Sequence, residues 1–368
     1  MLKRNEIVER TIEPAVEFIK KINSGDKVVV VHDDDCDGVC SGAITGLLVK
    51  KLFDYFPRLL STEWNVSLTE KVVDQILRER ATHVIFVDTP ELSKRFVDKL
   101  KKQMKILIID HHIPEKYDGV AYCNPRKFEA GIYLPVSYIV YKIFEKIIES
   151  KDVVWISAVG VLGDHGVENC KDLFEELKAV YPEILNNMEL KDDVLYDNSA
   201  VGQLTKIIDS GRVVEGKKGA EFVSKTLVRV KDYREILDGS TEETKTLLKW
   251  SDVARKEFER LKADFKKKSE LIGKNILFYE FDSKLRLKST LATAVGNSHR
   301  EKIIVIGQKN GKYFDVSLRK GENVKTDLAD LVKKARRSIP DSIGGGHPEA
   351  SGARVPVEYK ERFLKNLA

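Results

Sequence analysis

Glutamine is nearly missing from this chain: four residues in 368, against 63 lysines and arginines and 58 aspartates and glutamates. A surface this rich in both charge signs is the balance found in proteins from hot environments, and it equally serves plain solubility. Cysteine is also scarce. Its four copies, Cys36, Cys40, Cys123 and Cys170, form no C-x-x-C pair, which excludes a disulfide-built scaffold and suits a reducing compartment. No run of 18 apolar residues occurs, and the opening MLKRNEIVERTIEP is charged and helix-like, unlike a signal peptide. The expectation is a soluble, cytoplasmic protein with no membrane partner. Nor is there a large excess of one charge sign. A net +5 is too mild to argue for nucleic acid from the whole-protein field, so that case rests on local clusters.

The chain does have enough length for more than one core, so two domains are expected. Three β-branched runs stop abruptly at acidic residues: KVVVVH (27–32) before Asp33, HVIFV (83–87) before Asp88, and MKILII (104–109) before Asp110. Runs that are continuously apolar, with no alternation, fit strands buried on both faces of a parallel sheet. Helical patterns at 41–53, 69–80 and 93–103 separate them, so the fold class is α/β with a doubly wound sheet whose ligand sits at the strand carboxyl ends. A further apolar helix is expected at 136–149. The run VVWISAVGVLGDHG (153–166) is read as a fourth strand end, stopped at Asp164. Residues 173–237 look helical and mixed.

From 241 to 272, Leu247, Trp250, Ala254, Phe258, Leu261 and Phe265 recur three and four apart, the pattern of one long amphipathic helix of about 45 Å. A second α/β pattern follows, with strands at 275–281, 302–308 and 313–319 and helices at 287–297, 327–337 and 357–367. The expected division is 1–237, a linker helix over 238–273, and a smaller domain over 274–368, with a cleft between the domains.

The acidic stops collect Asp33, Asp35 and Asp37 after the first strand, Asp88 after the second, Asp110, His111 and His112 after the third, and Asp164. Carboxylates with a few imidazoles suit hard or borderline divalent ions, and the set is too large for one ion. Two Mn2+ ions, or Mg2+ as the second choice, would neutralise the crowded aspartates. Two such ions generate hydroxide at neutral pH and clamp a phosphate for in-line attack.

In order and spacing, HDDDCDGVCSG, VIFVDTP, IIDHHIP and VGVLGDHG resemble the four motifs of the DHH phosphoesterase family, and GGGHPEASG resembles the signature of its DHHA1 domain. The D-x-D-x-D-G form of the first motif is similar to that of compact archaeal RecJ-like nucleases. The resemblance implies Asp35, Asp37, Asp88, His111 and Asp164 as metal ligands, with Asp88 bridging. It also implies Asp110 orienting His111, and His112 directed at the scissile phosphate. His32 and Asp33 compete as outermost ligand, with Asp33 preferred. His165 reads equally as a functional or a turn residue.

In the C-terminal part, Gly344, Gly345 and Gly346 can bring backbone N–H groups close to an anion, and His347 adds a donor. Arg319 ends a strand, and Arg336 and Arg337 close the basic run KKARR. Together these are expected to form one phosphate-binding wall for a flexible single strand. The resulting expectation is a two-metal exonuclease acting on single-stranded DNA or RNA, with a replication or fork-repair protein as partner. An oligoribonuclease or cyclic-dinucleotide phosphodiesterase is the alternative, and an inactive Cdc45-like replication scaffold a third reading.

Overall fold

The computed structural model describes residues 2–62, 69–90 and 92–368. It divides into two compact units, Met1–Ser251 and Asp252–Ala368.

In the first unit, β1 (Val28–His32), β2 (Arg58–Ser61), β3 (His83–Val87), β4 (Lys105–Ile109) and β5 (Ala121–Cys123) form one parallel sheet in the order β2-β1-β3-β4-β5. Alternation along the strands explains the continuous apolar runs. Val28 and Val30 face a core with α1 (Arg4–Ile19), α2 (Cys36–Phe53), α5 (Val136–Ile148) and α6 (Val154–Gly163), while Val29 and Val31 face one with α3 (Glu70–Arg78) and α4 (Lys94–Leu100). Both faces are covered, as a doubly wound sheet requires. The four cysteines are free and buried.

One expectation fails here. Residues 153–166 are not a strand but α6, and Asp164 is its C-cap. A helix buried on all sides is apolar all round, so it carries no 3.6-residue period to distinguish it from a buried strand. Short helices continue the unit: α7 (Lys171–Val180), α8 (Pro182–Leu185), α9 (Asp192–Asn198), α10 (Ala200–Glu215), α11 (Lys217–Leu227) and α12 (Arg234–Asp238).

The long helix, α13, spans Glu242–Lys268, and the division between the units falls inside it. It ends earlier than its apolar spacing suggested, because Glu270–Ile272 is a strand, β6, paired antiparallel with β7 (Ile276–Phe281). In the second unit β8 (Ile303–Asn310), β9 (Tyr313–Lys320), β10 (Ile343–Gly346) and β11 (Ala350–Pro356) complete a mixed sheet in the order β10-β11-β9-β8-β7-β6. Strands β7 and β8 are parallel, joined through α14 (Lys288–Gly296). Phe314, Val316 and Leu318 of β9 face a core shared with α15 (Leu328–Arg336) and α16 (Lys360–Leu367). Among the described residues, no helix is long and apolar enough to cross a membrane.

Candidate metal centre

Strand order reverses direction between β1 and β3, and in open α/β sheets ligands bind outside the strand carboxyl ends at that point. Asp33, Asp35 and Asp37 follow β1 there, Asp88 follows β3, and Asp110 to His112 follow β4. Asp35 caps α2 by accepting from the Gly38 N–H at 2.9 Å. Glycine is required at 38, because a Cβ would lie 2.8 Å from both the Cβ and the carbonyl oxygen of Asp33. Asp88 has φ +54°, a left-handed conformation that is uncommon without glycine and clusters at functional sites.

Asp37 is buried and reaches across to α5. Its Oδ2 accepts from Val136 N at 2.7 Å and its Oδ1 from Ser137 N at 2.9 Å. The N-cap of that helix, Pro135, supplies no side-chain acceptor, so an aspartate from another element satisfies the free N–H groups. Asp164 is held by Tyr133, whose hydroxyl lies 2.6 Å from Asp164 Oδ2.

These side chains converge into two triads, Asp88 with His111 and His112, and Asp37 with His111 and Asp164; in each, the potential ligand atoms lie within 4.8 Å of one another. His111 Nε2 is 3.5 Å from Asp88 Oδ1, and its Nδ1 is 3.7 Å from Asp164 Oδ2. Asp88 Oδ1 and His111 Nδ1 are buried without a hydrogen-bond partner, a costly state for polar atoms unless a ligand completes them.

The electrostatics agree with that geometry. Burial, then repulsion from Asp37, Asp35, Asp33 and Asp164, holds the Asp88 carboxyl well above the usual carboxylate range. Asp33 and Asp164 are raised in the same way, by burial first and neighbouring aspartates next. Burial lifts Asp37 to about 6, against its backbone donors. Burial, and then His112, pulls His111 down to about 4, leaving a neutral imidazole with a free lone pair. For His112 burial acts downward, but the hydrogen bond and charge of Asp110, with Asp35 and Asp164, prevail and raise it to about 9. Crowded carboxylates, a neutral imidazole and unpartnered buried ligand atoms fit divalent cations.

One sequence expectation needs correction, and the others find these places. Asp110 does not orient His111: its Oδ1 accepts from His112 Nδ1 at 2.8 Å. His32 is not available as a ligand, because its Nδ1 bonds the Asp33 carbonyl at 2.7 Å and its Nε2 lies 3.0 Å from Ser224 Oγ. Asp33 and Asp35 belong to neither triad and stand beside them, Asp33 fixed by Thr62 Oγ1 at 3.2 Å. His165 is exposed on the turn after α6.

In the second unit, Arg319 donates from Nε to Thr293 Oγ1 at 3.0 Å, from Nη2 to Ser289 Oγ at 2.9 Å and from Nη1 to the Leu318 carbonyl at 2.9 Å. Burial lowers its pKa, and among the described residues no carboxylate lies within ion-pair distance of it. Gly344 to Gly346 form the edge strand β10, paired with β11, and Arg319 pairs in register with Ala350, which closes the exposed hairpin turn at His347. Gly346 has φ +144°, and a Cβ there would meet the Ala350 carbonyl oxygen at 2.4 Å.

Arg336 does not share a sheet face with Arg319. Pleating sends Arg319 to the α14 face, while α15, which ends at Arg336, packs on the opposite face with Val316 and Leu318. Arg336 instead braces the turn before β10, donating to the Ser342 carbonyl at 2.9 Å. Sequence reasoning missed Tyr133 and Thr62, since neither lies in a periodic run or a charged cluster.

The profile of the DHH family, N-terminal domain, matches residues 27–162, and that of the DHHA1 domain matches residues 278–368. No match to a curated protein sequence is found. Among solved structures, a DHH-domain protein described as a member of a family of ribosomal proteins superposes with a TM-score of 0.74 at 16% identity, covering 100% of this chain and 91% of that one. RecJ in complex with Mn2+ from Thermus thermophilus gives 0.72 at 14% identity, over 97% of this chain and 54% of that one. Exonuclease RecJ bound to manganese gives 0.68 at 13% identity, over 97% and 93%. At these identities the likeness is one of fold. With both domains present in order and the motif residues gathered at the sheet's switch point, the chain belongs to the DHH/DHHA1 phosphoesterase family and is RecJ-like in architecture.

Proposed function

We propose that this protein is a metal-dependent phosphodiesterase that removes nucleotides from an end of single-stranded DNA or RNA. The observation that carries the reading is the convergence of Asp37, Asp88, His111 and Asp164 with two buried ligand atoms, Asp88 Oδ1 and His111 Nδ1, left without partners. A scaffold that had lost catalysis would have no reason to keep such a destabilising cluster intact.

Asp37, Asp88, His111 and Asp164 would hold a pair of divalent ions, Mn2+ in preference to Mg2+, with Asp35 and Asp33 alongside. Such ions supply a nucleophile at neutral pH and neutralise charge on the phosphate. Asp110 keeps His112 protonated and aimed, so the imidazolium can donate to a non-bridging phosphate oxygen as negative charge builds there. Arg319 and the Gly344–Gly346 strand, with His347 at its turn, offer donors to a phosphate elsewhere on the strand. The reading of the RecJ structures as nucleases that bind manganese points the same way.

The test is digestion of end-labelled DNA and RNA strands of graded length with Mn2+ or Mg2+. Stepwise release from an end, with closed single-stranded circles left intact, is expected. Cleavage of circles would exclude the end-dependent reading, and preference for two- to five-nucleotide substrates would favour the short-oligonucleotide alternative.

A further inference from the structure

The two triads share His111 but have separate supports. In the Asp88 triad, His112 is fixed by Asp110 at 2.8 Å. In the Asp37 triad, Asp164 is fixed by Tyr133 at 2.6 Å, the length of a hydrogen bond to a charged oxygen. Tyr133 also leans on the shared ligand, its ring centroid 5.4 Å from that of His111 at an interplanar angle of 44°. A single residue, 31 positions from Asp164 in sequence, thus holds a carboxylate that only one triad contains, while its ring rests on the imidazole that both share. Among the described residues its hydroxyl bonds only Asp164, with none to Asp88 or His112.

We infer that Tyr133 is a positioning residue that sets the cation affinity on the Asp37/Asp164 side of the centre selectively, leaving the Asp88 side of the centre unchanged. This rests on the reading of the acidic cluster as a binuclear centre. The chemistry is that of an outer hydrogen bond on a ligating carboxylate. The phenol O–H faces both Asp164 Oδ2 at 2.6 Å and the Asp164 carbonyl oxygen at 2.8 Å; donated along the shorter contact, it occupies one lone pair of Oδ2 and restrains the carboxylate's rotation, so less ordering is left to the moment of binding. Loss of such a partner typically costs about tenfold to a hundredfold in metal affinity.

The experiment is a Mn2+ titration of the full chain and of Tyr133→Phe, followed by calorimetry and by the electron paramagnetic resonance signal of free Mn2+. Tyr133→Phe keeps the ring and removes only the hydroxyl, and its thermal unfolding in chelator checks that the fold is retained. Two Mn2+ are expected on the unsubstituted chain. On the variant, one should bind as before and the other about tenfold to a hundredfold more weakly. In turnover, the Mn2+ concentration for half-maximal activity should rise, with the rate recovered at saturating Mn2+. Equal affinities in both proteins, equal weakening at both sites, or a rate that stays low at saturating Mn2+ would each overturn the inference. Absence of Mn2+ binding by the unsubstituted chain would overturn the binuclear centre itself, and this inference with it, so the two failures are told apart by the first titration.

Discussion

The carboxyl edge of the parallel sheet gathers buried carboxyls, whereas the α14 face of the second sheet holds a half-buried guanidinium, Arg319. At the first, Asp33, Asp88 and Asp164 are held well above the carboxylate range by burial and by one another. At the second, Arg319 is partly buried against two hydroxyls and a carbonyl. The same face of that sheet carries a completed pair, Arg354 donating to Asp315 through Nε at 2.6 Å and Nη2 at 2.8 Å. The fold can therefore match an arginine with a carboxylate where stability is the only demand. Where it does not, burial of like charge or of an unpaired cation is unfavourable for the free protein. The two regions thus suit ligands of opposite charge, cations at the first and an anion at the second.

Breaking the acidic side should have the largest effect. Asp88→Ala removes a carboxyl that Asp37, Asp35, Asp33 and Asp164 all repel, and Mn2+ affinity and hydrolysis should each fall by more than about a hundredfold. The metal-free variant should unfold no more easily than the unsubstituted chain, because a repelled buried carboxyl has gone. Calorimetric Mn2+ binding, a strand-release assay and thermal unfolding in chelator check the three parts. Near-normal turnover would remove Asp88 from the centre.

Breaking the cationic side should cost less. Arg319→Ala should weaken single-strand binding about tenfold to a hundredfold, the range for a hydrogen-bonded charge on phosphate, while Mn2+ affinity stays unchanged. Fluorescence anisotropy with a labelled strand, beside a Mn2+ titration, separates the two. Unchanged strand affinity with weaker Mn2+ binding would reverse the roles assigned to the two regions.

A smaller effect sharpens the contrast through pH. Carboxyls raised in the folded state bind protons more tightly than in the unfolded chain, so their contribution to stability is lost as pH rises. For Asp37 that loss runs from about 4, the unfolded carboxyl range, to its folded value of about 6, and it continues higher for Asp33, Asp88 and Asp164. In chelator, the midpoint of thermal unfolding should fall over this window, fall less in Asp88→Asn, and recover when Mn2+ is added. A slope identical in the chain and in Asp88→Asn would mean that the carboxyls are not coupled to folding as described.

What the sequence allowed to be read follows from these same forces. The three strand ends were legible because a strand buried on both faces is continuously apolar and a ligand-bearing end interrupts it with charge, as at Val31 to Asp33 and Val87 to Asp88. The class of α6 was not legible, since its apolar circumference shows no period. The partner of Asp110 was not legible either: sequence places His111 and His112 side by side, but only the backbone's course decides which imidazole turns toward the carboxylate. Arg336 looked like a neighbour of Arg319 because proximity in sequence hides which face of a pleated sheet each helix covers. Tyr133 carries no signal of its own, being a loop tyrosine that acquires its role through an aspartate 31 residues later.

Crystals of the protein soaked in Mn2+, with data collected at the manganese absorption edge, test the central claim most directly. Two anomalous peaks about 3.5–4 Å apart are expected, with Asp88 between them, His111 in contact, and Asp37 and Asp164 closing one side. A single peak elsewhere on the surface, or none within reach of Asp88 and His111, would contradict the account.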